Sequence, residues 1–160
     1  IQAAKQALEN SSNSSAFISS AQLLADADEV WKAYAKAGLI TDHETGDTGN
    51  NYSFSQCTWW VYIRRHQLGL TAGSLMGNGN QWANTARSLG YSVSNTPMVG
   101  DVMVFAAGQE GSDGYYGHVA IVEGITTDGS VITSECGASR NGQPYSRVIS
   151  NPSRFEYIHY

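Results

Sequence analysis

Apolar residues change their period once along this chain of 160 residues, close to residue 90. Ahead of that point they recur at helical spacing. Leu24, Ala27, Trp31 and Tyr34 fall on one helix face behind Ser19 and Gln22, which have capping-box spacing, and Gly38 is placed to stop the helix. A shorter helix is expected over residues 2–9, ending at the polar run Asn10 to Ser15. Two more are expected over 55–68, with Gly69 behind it, and over 81–89, with Gly90 behind it. Beyond residue 90 the pattern alternates, and 101–106, 118–125, 130–136 and 154–160 read as strands. Asp128-Gly129 marks a hairpin turn between two of them. Helices first and antiparallel strands afterwards predict an α+β fold; the βαβ alternation of a parallel sheet is absent.

Composition narrows the partners. With 41% hydrophobic and 11% aromatic residues the chain can bury a core, which excludes a charged disordered chain. Nine basic residues against 14 acids leave a net charge of −5, which argues against nucleic-acid binding through a basic face. No apolar run reaches the roughly 20 residues of a membrane span. The start, Ile1-Gln2-Ala3-Ala4-Lys5, has no signal-peptide pattern and reads as the start of an excised mature region. Charge is uneven: residues 1–50 hold three lysines against seven acids, and 51–160 six arginines against seven acids. This division suggests a helical lead-in or linker over 1–49 and a body over 50–160.

Two cysteines are too few for a disulfide framework and lack zinc-ligand spacing. Cys57 falls at an expected helix start, where unpaired N–H groups and the helix dipole favour a thiolate. It reads either as a nucleophile or as a small buried residue beside Trp59 and Trp60. His118 opens a strand after Gly117, where it could enter a cleft as a general base or serve as a hydrogen-bonded structural residue. His43, His66 and His159 have weaker settings. Glu135 lies one strand further on and could accept the second imidazole N–H. Alternation turns Cys136 away from Glu135, so a Cys57–Cys136 bridge is not expected unless a bulge interrupts the strand.

The words around these residues resemble the CHAP family, the cysteine, histidine-dependent amidohydrolases/peptidases of bacterial cell-wall enzymes. They are Gln56-Cys57-Thr58-Trp59-Trp60-Val61-Tyr62-Ile63-Arg64-Arg65, Gly77-Asn78-Gly79-Asn80-Gln81-Trp82-Ala83, Asn95-Thr96-Pro97-Met98-Val99-Gly100-Asp101-Val102, Gly117-His118-Val119-Ala120-Ile121-Val122-Glu123 and Ile132-Thr133-Ser134-Glu135. The resemblance covers about residues 50–160 and implies a papain-like α+β fold with helices packed on an antiparallel sheet. It implies Cys57 as nucleophile, His118 as base and then acid, and Glu135 as the residue orienting His118. The Cys57 N–H would hold the oxyanion, with Gln56 as second donor. Trp59, Trp60, Tyr115 and Tyr116 are candidates to contact substrate. Family members often carry an Asn two residues after the acid; Gly137 stands there, and Asn141 is the candidate replacement. Trp82, Asn78 and Asn80 are read as structural.

The implied activity is hydrolysis of a peptidoglycan amide bond, as an endopeptidase or an N-acetylmuramoyl-L-alanine amidase. An inactive wall-binding or scaffolding module and an amidase of small γ-glutamyl-type amides are the competing readings. No cofactor is required; calcium, bound by some relatives, would have to use Asp42, Glu44, Asp47 and Asn50, whose spacing does not match. Peptidoglycan is the expected partner, with other components of a wall or secretion assembly, and the expected location is extracellular, at the wall. Such modules occur in autolysins, phage lysins and wall-remodelling proteins of conjugative type IV secretion systems. Residues 1–40 would suit the last as a linker from a glycan-cutting domain.

Overall fold

Two glycines set the lengths of the helices in front of the sheet. Gly69 (φ 78°) follows helix α1, Cys57–Gln67, and Gly90 (φ 94°) is the left-handed C-cap of helix α2, Trp82–Leu89. Both backbone conformations are ones that side-chain-bearing residues rarely adopt. The computed structural model describes residues 29–30, 32–38 and 44–159. The expected helix over 2–9, the cap at Ser19 and Gln22, and Leu24, Ala27 and Trp31 lie outside these. Residues 29–30 and 32–36 are helical, and Gly38 (φ 69°) follows them. This part of the lead-in joins the core: Val30 and Tyr34 are buried with Leu68, Leu70 and Val102, and the Tyr34 hydroxyl donates to Asp101.

Six strands follow: β1 Val93–Ser94, β2 Val102–Phe105, β3 His118–Ile125, β4 Val131–Ser134, β5 Val148–Ile149 and β6 Glu156–Ile158. They form one antiparallel sheet in the order β1-β6-β2-β3-β4-β5. The fold is α+β, as the change of period predicts. The two-residue strands β1 and β5 are too short to show alternation, and the sequence pattern misses them.

Successive side chains on β2 and β3 point to opposite faces. One face takes Val102, Val104, Val119 and Ile121, which pack with Val61 of α1, Leu68 just after it, and Trp82 and Ala86 of α2. The other takes Met103, Phe105, Ala120 and Val122, packed with Phe155 and Tyr157. Each such fully buried aliphatic or aromatic side chain contributes roughly 1.5–3 kcal/mol. Buried polar bonds then fix how α1 lies on its face. Arg64 donates to both oxygens of Glu123 on β3, at 2.6 and 2.7 Å, and Trp60 Nε1 donates to Ser134 Oγ on β4 at 2.9 Å. No described helix is long and apolar enough to cross a membrane.

Candidate active site

The start of α1 is held from outside the helix. Ser55 is buried with a left-handed backbone (φ 70°), a strained state for a residue with a Cβ. Its hydroxyl donates to Gly137 O at 2.7 Å and accepts from Gly142 N at 2.9 Å, so the turn before Cys57 is pinned to the loop after β4. Gln56 is the N-cap residue but makes no side-chain cap, and the first turn contains no acid. The positive end of α1 therefore carries no competing anion beside Cys57.

His118 is the first residue of β3, with the Phe105 ring edge-on at 5.1 Å. Its Nε2 lies 2.8 Å from Glu135 Oε1, which leaves Nδ1 free of that bond, and His118 and Cys57 line the same cleft. Burial disfavours the imidazolium, yet the neighbouring Cys57 and Glu135 side chains outweigh it and push the His118 pKa up to about 9. Glu135 is buried, which by itself would raise its pKa. Bonds from His118, Arg147 and Thr133 prevail and hold it down at about 2. Arg147 supplies two of them, Nε at 2.9 Å and Nη2 at 2.7 Å; the Thr133 hydroxyl and, at 3.4 Å, that of Tyr145 also donate. Cys57 and His118 thus line a cleft of about 640 Å³, with the Glu135 carboxylate buried behind the imidazole.

Gln56 and Tyr116 also line this cleft. Tyr115 is exposed outside its lining, its ring edge-on to Tyr116 at 4.8 Å. Trp59 lies half-buried against Phe54, 4.9 Å between ring centroids, and does not line the cleft. For Trp60 the structure corrects the expectation of substrate contact: at 1% exposed, it faces the sheet with its N–H used by Ser134. Asn141 is corrected too. It ends a 3-10 turn in a left-handed conformation, exposed and outside the cleft lining, and Arg147, Thr133 and Tyr145 surround the carboxylate instead. None of the three is singled out by sequence reasoning; the alternation Tyr145, Arg147, Ile149 is the signal that could have found Tyr145 and Arg147. Cys136 turns toward Ser55 Oγ, 3.6 Å away, and both cysteines are free. The strand irregularity falls in the β3–β4 pairing between Val122 and Gly124, ahead of Glu135.

Two of the residues suggested for calcium, Asp47 and Asn50, have other partners. Asp47 accepts from Tyr62 Oη at 2.5 Å and bonds His66 Nε2 at 2.6 Å, and the Asn50 amide bonds Trp59 O and Tyr52 N. Asp42 lies outside the described residues. Among the described residues no group of three or more His, Cys, Asp or Glu could hold a metal ion.

The CHAP domain family profile matches residues 47–137, and so includes Cys57, His118 and Glu135. Probable autolysin LDP of Staphylococcus aureus is 40% identical over 111 residues, 69% of this chain and 38% of that protein. Staphylococcal secretory antigen SsaA of the same species is 42% identical over 113 residues, 69% of this chain and 41% of that one. The chain thus spans about two fifths of the length of these relatives. A crystal structure of an N-acetylmuramoyl-L-alanine amidase from Staphylococcus aureus superposes with a TM-score of 0.66 at 36% identity, covering 76% of this chain and 33% of the amidase. With a match over more than half its residues and the helix-on-sheet arrangement just described, the chain belongs to the CHAP domain family.

Proposed function

We propose that this chain is a peptidoglycan hydrolase that cuts an amide bond of the wall peptide, or of its junction with the glycan, by cysteine catalysis. The observation that carries the proposal is the line from Cys57 through His118 to the buried Glu135 at the floor of an open cleft. Names of the relatives, an autolysin and an amidase, support the substrate class. In the first step the Cys57 thiolate attacks the amide carbon, and the C=O electron pair moves onto oxygen. The Cys57 N–H, with the Gln56 amide as second donor, would stabilise that oxyanion. His118 then gives its proton to the leaving nitrogen as the C–N bond breaks, leaving a thioester on Cys57. Water attacks the thioester while His118 takes its proton, and the C–S bond breaks to release the acid. Glu135 holds the imidazole in the tautomer and orientation that both steps need.

The chain would act outside the cell, at the wall, as the printed names of an autolysin and a secretory antigen suggest. The test is digestion of purified walls by the unaltered chain and by Cys57→Ala, with mass spectrometry of the released muropeptides. New amino and carboxyl termini from the unaltered chain alone are expected, and they name the bond. Full lysis by Cys57→Ala would overturn the mechanism. Wall binding without products from either chain would establish the scaffolding reading in its place.

A further inference from the structure

Glu135 is a carboxylate with no exposed surface whose partner in the reaction changes charge during turnover. While the imidazole is protonated the two form an ion pair. After His118 has passed its proton to a leaving nitrogen it is neutral, and Glu135 would then be a buried anion with no cation beside it, a costly state. A carboxyl in that position can relieve the cost by taking up a proton, and it would then cease to orient the imidazole.

Arg147 is built to prevent this. Across the β4–β5 edge Thr133 N donates to Arg147 O at 2.9 Å, and Glu135 bridges to Tyr145, so Arg147 is the diagonal neighbour of Glu135 on one face. Its two bonds to the carboxylate, from Nε and Nη2 to different oxygens, have the fork geometry that fixes direction as well as charge. The third nitrogen, Nη1, donates to Glu110 O at 2.8 Å in the turn Gln109–Gly111. Glu110 and Gly111 line the cleft, and the turn is anchored again by Arg154 Nη2 on Glu110 Oε1 at 2.8 Å. The guanidinium also lies 5.5 Å from the centre of the Phe105 ring, the ring that His118 meets edge-on.

We propose that Arg147 is a positioning residue that keeps Glu135 ionised and aimed at His118 through both charge states of the imidazole, and ties that carboxylate to the 109–111 wall of the cleft. The inference rests on reading Cys57, His118 and Glu135 as the reacting line. Removing a nearby cation makes every neighbouring group hold its proton more tightly, so the acid limb of thiolate reactivity must move to higher pH. The readout is the rate of Cys57 alkylation by iodoacetamide against pH, with peptide mapping to separate Cys57 from Cys136. In Arg147→Met the midpoint is expected to rise by about half a unit, a roughly threefold loss of rate on the acid side. Arg147→Lys keeps the charge without the fork. It is expected to keep the midpoint of the unaltered chain while wall hydrolysis slows.

A midpoint in folded Arg147→Met equal to that of the unaltered chain overturns the proposal. So does a lysine variant whose midpoint moves as far as that of the methionine variant. Where Arg147→Met does not fold, Arg147→Gln provides the same comparison. Alkylation needs no wall substrate, so this test can fail while the unaltered chain still hydrolyses walls, and the reverse.

Discussion

A Cβ built on Gly79 would lie 2.7 Å from both the backbone N and the Cα of His118. A Cβ essentially never sits that close to a non-bonded backbone atom, so a side chain here must push the strand that begins with His118. Gly79→Ala is therefore expected to lower wall hydrolysis by about 10²-fold, the scale of an ångström-sized misplacement of a reacting group. The fold should persist, as read by circular dichroism. Activity within twofold of the unaltered chain would show that the 78–81 loop moves aside.

Arg64 and Glu123 join the helix that starts at Cys57 to the strand that starts at His118, with the arginine side chain fully buried and the acid 10% exposed. Removing one partner leaves a buried charge. Arg64→Leu is expected to cost about 3–5 kcal/mol in denaturant unfolding. Replacing both, Arg64→Leu with Glu123→Leu, should recover most of that loss, since no charge is then stranded. A double variant no more stable than the single one would contradict this.

Opposite pKa shifts at His118 and Glu135 define a pH window. His118 lies above its ordinary 6.5, so its contribution to stability is complete below about 6.5 and is lost as pH climbs through about 9. Glu135 lies below its ordinary 4.5, so its contribution is complete above that value and is lost as pH falls through about 2. Hydrolysis should fall above about 9, where His118 loses the proton that the leaving nitrogen needs. In Cys57→Ala the sulfur that raises the His118 pKa is gone, and an NMR titration of His118 should show a lower midpoint. An unchanged midpoint would mean that the sulfur does not stabilise the imidazolium.

Ser55 offers a probe of the pinned helix start. Ser55→Ala removes the donor to Gly137 O and the acceptor of the buried Gly142 N–H. The expected loss is about 1–3 kcal/mol of stability. Calorimetry of the two chains measures it, and an unaltered melting temperature would show that the loop re-forms its bonds elsewhere.

Local features made Cys57 and His118 legible in the sequence. Each stands at the first residue of its element, and each element has its own period and stop signal. Arg147 could not be read in that way, because its place depends on register: it meets Glu135 through the pairing of Thr133 with Arg147, 14 positions apart, just ahead of a two-residue strand. Trp60 was misread for a related reason. Adjacent aromatics look alike along the chain, yet one helical step of about 100° separates Trp59, near Phe54, from Trp60, which shares the buried stripe with Arg64. The two-sided core was partly legible, since alternation assigns faces but not which elements cover them.

Exposure falls from half-buried Cys57, through the His118 side chain at 13%, to that of Glu135 at zero. Mobile ions screen a charge only where their atmosphere can reach it. Added salt can therefore weaken the encounter with a charged substrate at the mouth of the cleft while leaving the carboxylate's hold on the imidazole untouched. The bond between His118 and Glu135 is thus expected to respond less to ionic strength than charges at the exposed mouth of the cleft.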